Sequence, residues 1–308
     1  GAARVLISEI VRGAGAVLRD RHGVRFMPEQ HPMAELAPRD IVSRSVFQRM
    51  VETNDTSVYL DLSDIDRDPH QLFPGISRIC AFFGIDIAKD PVPVRPGAHY
   101  MIGGLVVDAD GRTNVPGLWA AGECASTGLH GANRMGSNSL LEAVVLGECT
   151  GIAAADAALR SKRPETRQVV TRERTIPPPG VEVNLSDLTY SLKSLMWRQM
   201  GVVRDAEGMG DALARFSFWA RAIRALPMDD SRAVELVNML TVARLATLGA
   251  LTRVESRGAH YRADAAECRA DWRVHLTQTP LVDSAGERVR RVSLERRELP
   301  RVAVGAQS

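Results

Sequence analysis

At 308 residues with 45% hydrophobic side chains, the chain is long enough to bury a sizeable core and to divide into roughly two domains. Acids and bases nearly cancel, 37 against 39 with a formal net charge of +2, so no broad field of one sign directs the chain to nucleic acid or to a membrane surface. Four scattered cysteines, Cys80, Cys124, Cys149 and Cys268, contain no CxxC pair; they suggest neither zinc nor a disulfide framework and read as reduced thiols in a cytoplasmic protein.

The opening GAARVLISEIVRGAGAVL has no signal-peptide pattern, and its apolar spacing over 5–18 predicts a helix interrupted by Gly13 and Gly15. RHGVRFM then turns through Gly23 into a short strand-like piece. In HPMAELAPRDIVSRSVFQRMVE, Pro38, the first-turn acid Asp40 and the spacing of Ile41, Val42, Val46 and Met50 predict a helix whose entrance carries Arg39. Alternation over 58–62 predicts a half-buried strand, FPGISRICAFFGIDI a short helix stopped at Gly84, and PVPVRPGAHY an extended approach to His99.

The stretch 99–142, HYMIGGLVVDADGRTNVPGLWAAGECASTGLHGANRMGSNSLLE, concentrates glycines with His99, Glu123, His130, Asn133, Arg134, Asn138 and Ser139. It reads as a ligand-cradling turn between a buried strand and a helix. ADGR is expected to turn a hairpin between 105–108 and Thr113, GLWAAGE to be a buried strand ending at Glu123, and 139–158 to be a helix. A GxGxxG dinucleotide fingerprint is absent, since neither GAG at 13–15 nor GMG at 208–210 is followed by a third glycine at the required spacing.

SKRPETRQVVTRERTIPPPG, charged and proline-rich, marks a linker. Helical patterns over 185–203, 210–225 and 231–257 follow, the last opening on a serine cap, and suggest a small antiparallel bundle. The long apolar run over 234–251 carries Asn238 and Arg244 at helical spacing, which argues for an amphipathic helix and against a membrane span. SRGAHYRAD closes that helix at Gly258, and the tail over 282–302 alternates as a marginal edge strand.

Motif by motif, HPMAELAPRD, HYMIGGLVVD with GRT, PGLWAAGE, TGLHGANRMGSNSLLE, MWRQMGVVR and SRGAHYRAD resemble, in order, the carboxy-terminal part of the L-aspartate oxidases. These belong to the flavoprotein superfamily that also contains the flavoprotein subunits of succinate dehydrogenase and fumarate reductase. The resemblance implies an α/β plus α fold: part of a capping domain (1–98), the second portion of a Rossmann-like FAD-binding domain (99–158), a linker (159–183), a helical bundle (184–270) and a tail (271–308). The amino-terminal half that carries the dinucleotide fingerprint in the family is not in this sequence, so a fragment inactive alone, or one needing that half as partner, is one expectation. Ala14 also stands where the family's RGEGA has its acid.

The chemistry implied is FAD-dependent oxidation of L-aspartate, or a similar C4 dicarboxylate, to its imine, feeding quinolinate synthase in NAD biosynthesis. A succinate or fumarate oxidoreductase is the rival enzyme. By resemblance Arg134 and His99 hold substrate carboxylates, because a guanidinium grips a carboxylate through paired hydrogen bonds. A satisfied buried histidine is the competing account of His99. Arg39 resembles the proton-transfer arginine, although an arginine pKa above about 12 makes a poor resting base; an ordinary helix-start arginine bonded to Asp40 or a neighbour competes. Glu123 resembles the acid at the FAD ribityl chain, and Ser139 and Leu140 the residues whose amides meet the flavin ring. His130 is divided between ligand contact and a structural bond. Arg257, His260, Arg262 and Asp264 are expected to dock the bundle.

Overall fold

A computed structural model describes residues 5–161, 184–223, 230–282 and 288–298. Residues 162–183 of the linker expected over 159–183, and the end of the tail, lie outside these residues. The chain divides into two compact units, Gly1–Met101 and Ile102–Ser308.

The first unit packs helices on a three-stranded antiparallel sheet. Its opening run is not one helix: α1 (Ile10–Gly13) stops, Gly15 turns at φ +113°, and β1 (Val17–Arg19) follows. Glycine alone takes that conformation cheaply, and the turn lets Ala16 and then the strand residues Val17 and Leu18 enter the core. After α2 (Met27–Gln30), α3 (Arg39–Glu52) starts behind Pro38 and buries Val42, Val46 and Met50, one face at helical spacing. Next come β2 (Val58–Asp61), α4 (Pro69–Leu72), α5 (Pro74–Phe82) and β3 (Val92–Val94). Sheet order is β1-β2-β3, with Leu18 opposite Leu60 and Val58 opposite Val94. Phe26, Met27, Val58, Leu62 and Ile87 form the centre of its core.

In the second unit β4 (Leu105–Val106) pairs with β5 (Ala125–Ser126) in parallel. The ADGR turn forms as expected, with Gly111 at φ +73°, but the ladder partner of β4 comes from beyond Trp119 and not from Thr113. Gly111 is required for a second reason: a Cβ there would sit 2.0 Å from Thr150 Oγ1. GLWAAGE is not a continuous buried strand, since Gly122 and Glu123 enter a tight helical turn. Trp119 makes one antiparallel bridge to Arg112 and Leu118 is exposed.

α6 (Asn138–Arg160) inverts the usual amphipathic pattern: Ser139, Glu142, Thr150 and Ala153 are buried, whereas Leu140, Val144, Ile152 and Leu159 are exposed. α7 (Leu185–Gln199), α8 (Ala206–Ile223) and α9 (Ser231–Thr252) share a core of Leu192, Leu195, Phe216, Leu236 and Leu240. Asn184 caps α7, and Asp230, not the expected Ser231, caps α9 by accepting from the Arg232 N–H. α9 ends at Thr252, short of Gly258. It is also the one helix among the described residues long and apolar enough to cross a membrane. Its Ala233, Leu236, Leu240, Ala243, Thr247 and Ala250 recur every three or four residues and face the helical core, as the amphipathic reading expects. β6 (Val274–Val282), which periodicity missed, pairs antiparallel with β7 (Arg288–Glu298). Gln278 of β6 donates to the Leu245 carbonyl of α9 at 2.8 Å.

Candidate functional site

In the first unit, Arg39 opens α3 because Pro38 fixes the chain just before it. Its Nε donates to Glu9 Oε2 at 2.5 Å, and its Nη1 lies 3.4 Å from His99 Nε2. Asp40, the expected alternative partner, instead pairs with Arg44 one turn along at 2.9 Å. Glu9 holds the Arg39 guanidinium above its ordinary pKa, so Arg39 is a fixed cation. His99 is exposed, which removes the buried-histidine account. Its Nδ1 is 3.4 Å from the Gly97 carbonyl, and with the ring proton there Nε2 faces Arg39 as an acceptor.

Behind this pair, Arg12 donates to the Glu35 carbonyl, and burial together with the charge of Arg39 holds its guanidinium below the ordinary value. Glu35 is itself buried, and burial would raise its pKa. Hydrogen bonds from Arg25 and from the Leu18 N–H outweigh that and keep it ionised. Sequence reasoning missed Glu9. The available signal was an acid three residues before Arg12, in the same stretch whose Ala14 replaces the family's acid.

In the second unit, the backbone from Gly122 to Ser139 wraps the start of α6. Gly122 turns at φ +73°, followed by a tight helical turn, Gly122–Cys124, that leaves Glu123 exposed. Arg134 donates through Nε to Ser139 Oγ at 2.6 Å, so helix and turn are joined at the helix entrance. Ser137 takes a left-handed conformation with φ +63° and makes no side-chain cap, and no acid occupies the first turn of α6. Leu140 is 79% exposed at the same helix end. Thr127, Leu129, Asn138, Leu141, Glu142, Val145 and Leu146 line an open hollow of about 360 Å³ beside it. His130 is buried, with Nε2 3.1 Å from Glu142 Oε2, which gives it a structural contact.

The SRGAHYRAD loop meets this turn from the other side. Ala259 N–H donates to the Ala132 carbonyl at 2.9 Å, and a Cβ on Gly258 would stand 2.4 Å from that same oxygen. Contact with the turn therefore runs through backbone, while the charged side chains of the loop reach the helical bundle: Arg262 donates to the Leu251 and Arg253 carbonyls, Asp264 accepts from the Ala206 N–H, and His260 lies against Arg204. Arg262 grips Asp264 with two bonds of 3.0 and 2.6 Å, and Arg257 grips the fully buried Glu255. Burial would raise the Glu255 carboxyl; the bonds from Arg257, the Arg269 N–H and Arg253 hold it low instead. His260 Nδ1 lies 3.0 Å from Arg204, and burial followed by the Arg204 charge pushes its pKa down to about 4.

The structure thus brings Arg39 together with His99, and Arg134 together with Ser139, each pair within its own unit.

The family model for an FAD binding domain matches residues 1–140, and the one for the fumarate reductase flavoprotein C-terminal region matches residues 189–301. An L-aspartate oxidase of Synechocystis sp. is 38% identical, covering 89% of this chain and 54% of its own length. That of Bacillus subtilis is 40% identical over 87% of this chain and 48% of its own. A fumarate reductase (CoM/CoB) protein of Methanothermobacter marburgensis is 36% identical, covering 87% and 52%. Among solved structures, quinol fumarate reductase FrdA of E. coli aligns with a TM-score of 0.82 at 28% identity, covering 97% of this chain and 57% of that one. The chain spans about half the length of the curated relatives it matches.

Proposed function

We propose, from the premise that the chain belongs to the flavoprotein family joining an FAD binding domain to a fumarate reductase flavoprotein C-terminal region, that it supplies the substrate-gripping part of an FAD-dependent L-aspartate oxidase. The observation that carries this reading is the Arg134–Ser139 bond of 2.6 Å at the mouth of α6. A guanidinium held at Nε by a hydroxyl keeps one orientation, so a carboxylate meets a donor that is already aimed.

The α6 entrance fits a flavin. Its first N–H groups have no side-chain cap, the helix is 23 residues long, and the exposed Leu140 offers an apolar surface next to those donors. Such an end favours electron density on a ring edge through the helix dipole. Ser139 and Leu140 are the residues that would meet the ring, and Glu123, exposed on the preceding turn, would meet the ribityl hydroxyls. FAD, when bound, supplies the acceptor for the hydride leaving the aspartate Cα.

The remaining chemistry belongs to this chain. By the family resemblance, Arg134 and His99 are each read as a carboxylate ligand. The ammonium must lose a proton as the hydride departs, and Arg39, a standing cation, is a poor first acceptor. Glu9, at 2.5 Å from Arg39, is the carboxylate that can take that proton through the guanidinium while His99 orients it. The product would be iminoaspartate, the substrate class of quinolinate synthase, and bound FAD would supply the redox chemistry with oxygen or fumarate as the final acceptor.

The fumarate reductase relative and the FrdA likeness favour one rival, oxidation or reduction of an unsubstituted C4 dicarboxylate at the same arginines. Product analysis with L-aspartate against succinate separates the two. Aspartate-dependent peroxide formation that is lost in Arg134→Leu supports the proposal, and unchanged turnover in that variant removes Arg134 from it.

A further inference from the structure

One turn beyond Ser139 on the same buried face of α6, Glu142 holds a carboxylate whose side chain is 4% exposed. One oxygen accepts from the Thr127 hydroxyl; the other lies 3.1 Å from His130 Nε2. The Thr127 oxygen also accepts from the Leu129 N–H at 3.2 Å, and Gly131 N–H closes on the Gly128 carbonyl at 3.1 Å. A single carboxylate therefore spans both ends of the 127–130 turn, four residues before Arg134.

Burying a carboxylate is costly unless its oxygens are satisfied, so Thr127, whose hydroxyl supplies the hydrogen bond, cannot leave Glu142 without exposing that cost, and the His130 ring packs against the other oxygen. Ser139 and Glu142 stand three apart on one helix, so the two anchors present a fixed face: Glu142 takes the start of the turn and Ser139 takes Arg134. Movement of the turn about either anchor alone would swing the guanidinium. With both in place it has one pose.

We propose that Glu142 is a positioning residue for Arg134: it latches the Thr127–His130 turn to α6 and so sets the angle at which the guanidinium meets a C4 dicarboxylate. This rests on the reading of Arg134 as a carboxylate ligand. Glutamine preserves the latch, because its amide oxygen still accepts from Thr127 and its NH2 can donate to the other tautomer of His130. Leucine fills the space and offers neither contact.

The test uses the FAD-loaded protein, succinate titrated against the flavin absorption band, and hydrogen exchange of peptides 127–134 and 148–158. Glu142→Leu is expected to weaken succinate by about tenfold or more and to speed exchange of 127–134 by on the order of tenfold, with 148–158 unchanged. Glu142→Gln recovers most of both losses. Wild-type exchange and affinity in Glu142→Leu overturn the latch. If that variant does not fold, Thr127→Val, which removes one bond of the latch, is expected to weaken succinate several-fold, and wild-type affinity and exchange there overturn it equally. Arg134→Leu runs alongside: succinate binding undisturbed in that variant sinks the carboxylate-ligand reading itself, a result distinct from a silent Glu142.

Discussion

In the proposed mechanism Glu9 and Arg134 divide the chemistry at the residue scale, and their substitutions should fail differently. Arg134→Leu removes charge-assisted bonds to a carboxylate and is expected to weaken dicarboxylate binding by about a hundredfold, read as KM or as a succinate dissociation constant. Glu9→Gln leaves Arg39 a hydrogen-bond acceptor but no base, so turnover should fall by on the order of tenfold to a hundredfold with succinate affinity kept. Equal loss of affinity in both variants would contradict this division. His260 makes a separate prediction. Its folded pKa of about 4 lies below the ordinary 6.5, so the unfolded chain binds more protons between those values. Stability is therefore full above pH 6.5 and declines as pH falls toward 4, by about 2 kcal/mol after allowance for solvent screening. Denaturant melts at both ends of that range check it: the slope should shrink in His260→Asn, and a slope unchanged by the substitution assigns the effect elsewhere.

Elements were legible in the sequence where apolar period and punctuation agreed. Pro38 and the spacing of Val42, Val46 and Met50 placed α3, and the alanine, leucine and valine run placed α6. Where a glycine broke the period the pattern misled: Gly15 splits the opening run into a short helix and a strand, because left-handed backbone lets buried residues switch from helix to sheet. Pairing was less legible still, since β4 takes its partner in parallel from across the Gly111 turn, a tertiary choice that local alternation cannot encode. At the candidate site, motifs delivered Arg39, His99, Arg134 and Ser139, whereas Glu9 and the anchoring role of Glu142 emerged only when distant side chains met. The Gly258 loop offers the sharpest test at this scale. A Cβ there would lie 2.4 Å from the Ala132 carbonyl at a backbone φ of +57°, so Gly258→Ala should cost about 1–3 kcal/mol and increase exchange of the 131–134 amides. An alanine variant as stable as the parent would show that the loop does not bear on the turn.

For the whole molecule, a core-forming sheet unit carries the Arg39–His99 pair, and a second unit carries the Arg134 turn between α6 and the Gly258 loop. Family matches run along both parts of the chain, and its relatives include L-aspartate oxidases as well as a fumarate reductase. The two activities differ by an ammonium group on the same four-carbon dianion, so a shared carboxylate grip does not separate them; handling of the nitrogen-bound proton does. Anaerobic mixing of the FAD-loaded protein with L-aspartate or with succinate, followed by flavin absorbance, addresses this most directly. L-aspartate should bleach the flavin and yield iminoaspartate, with succinate binding but bleaching it far more slowly. Rapid bleaching by succinate with none by L-aspartate would contradict the proposed oxidase.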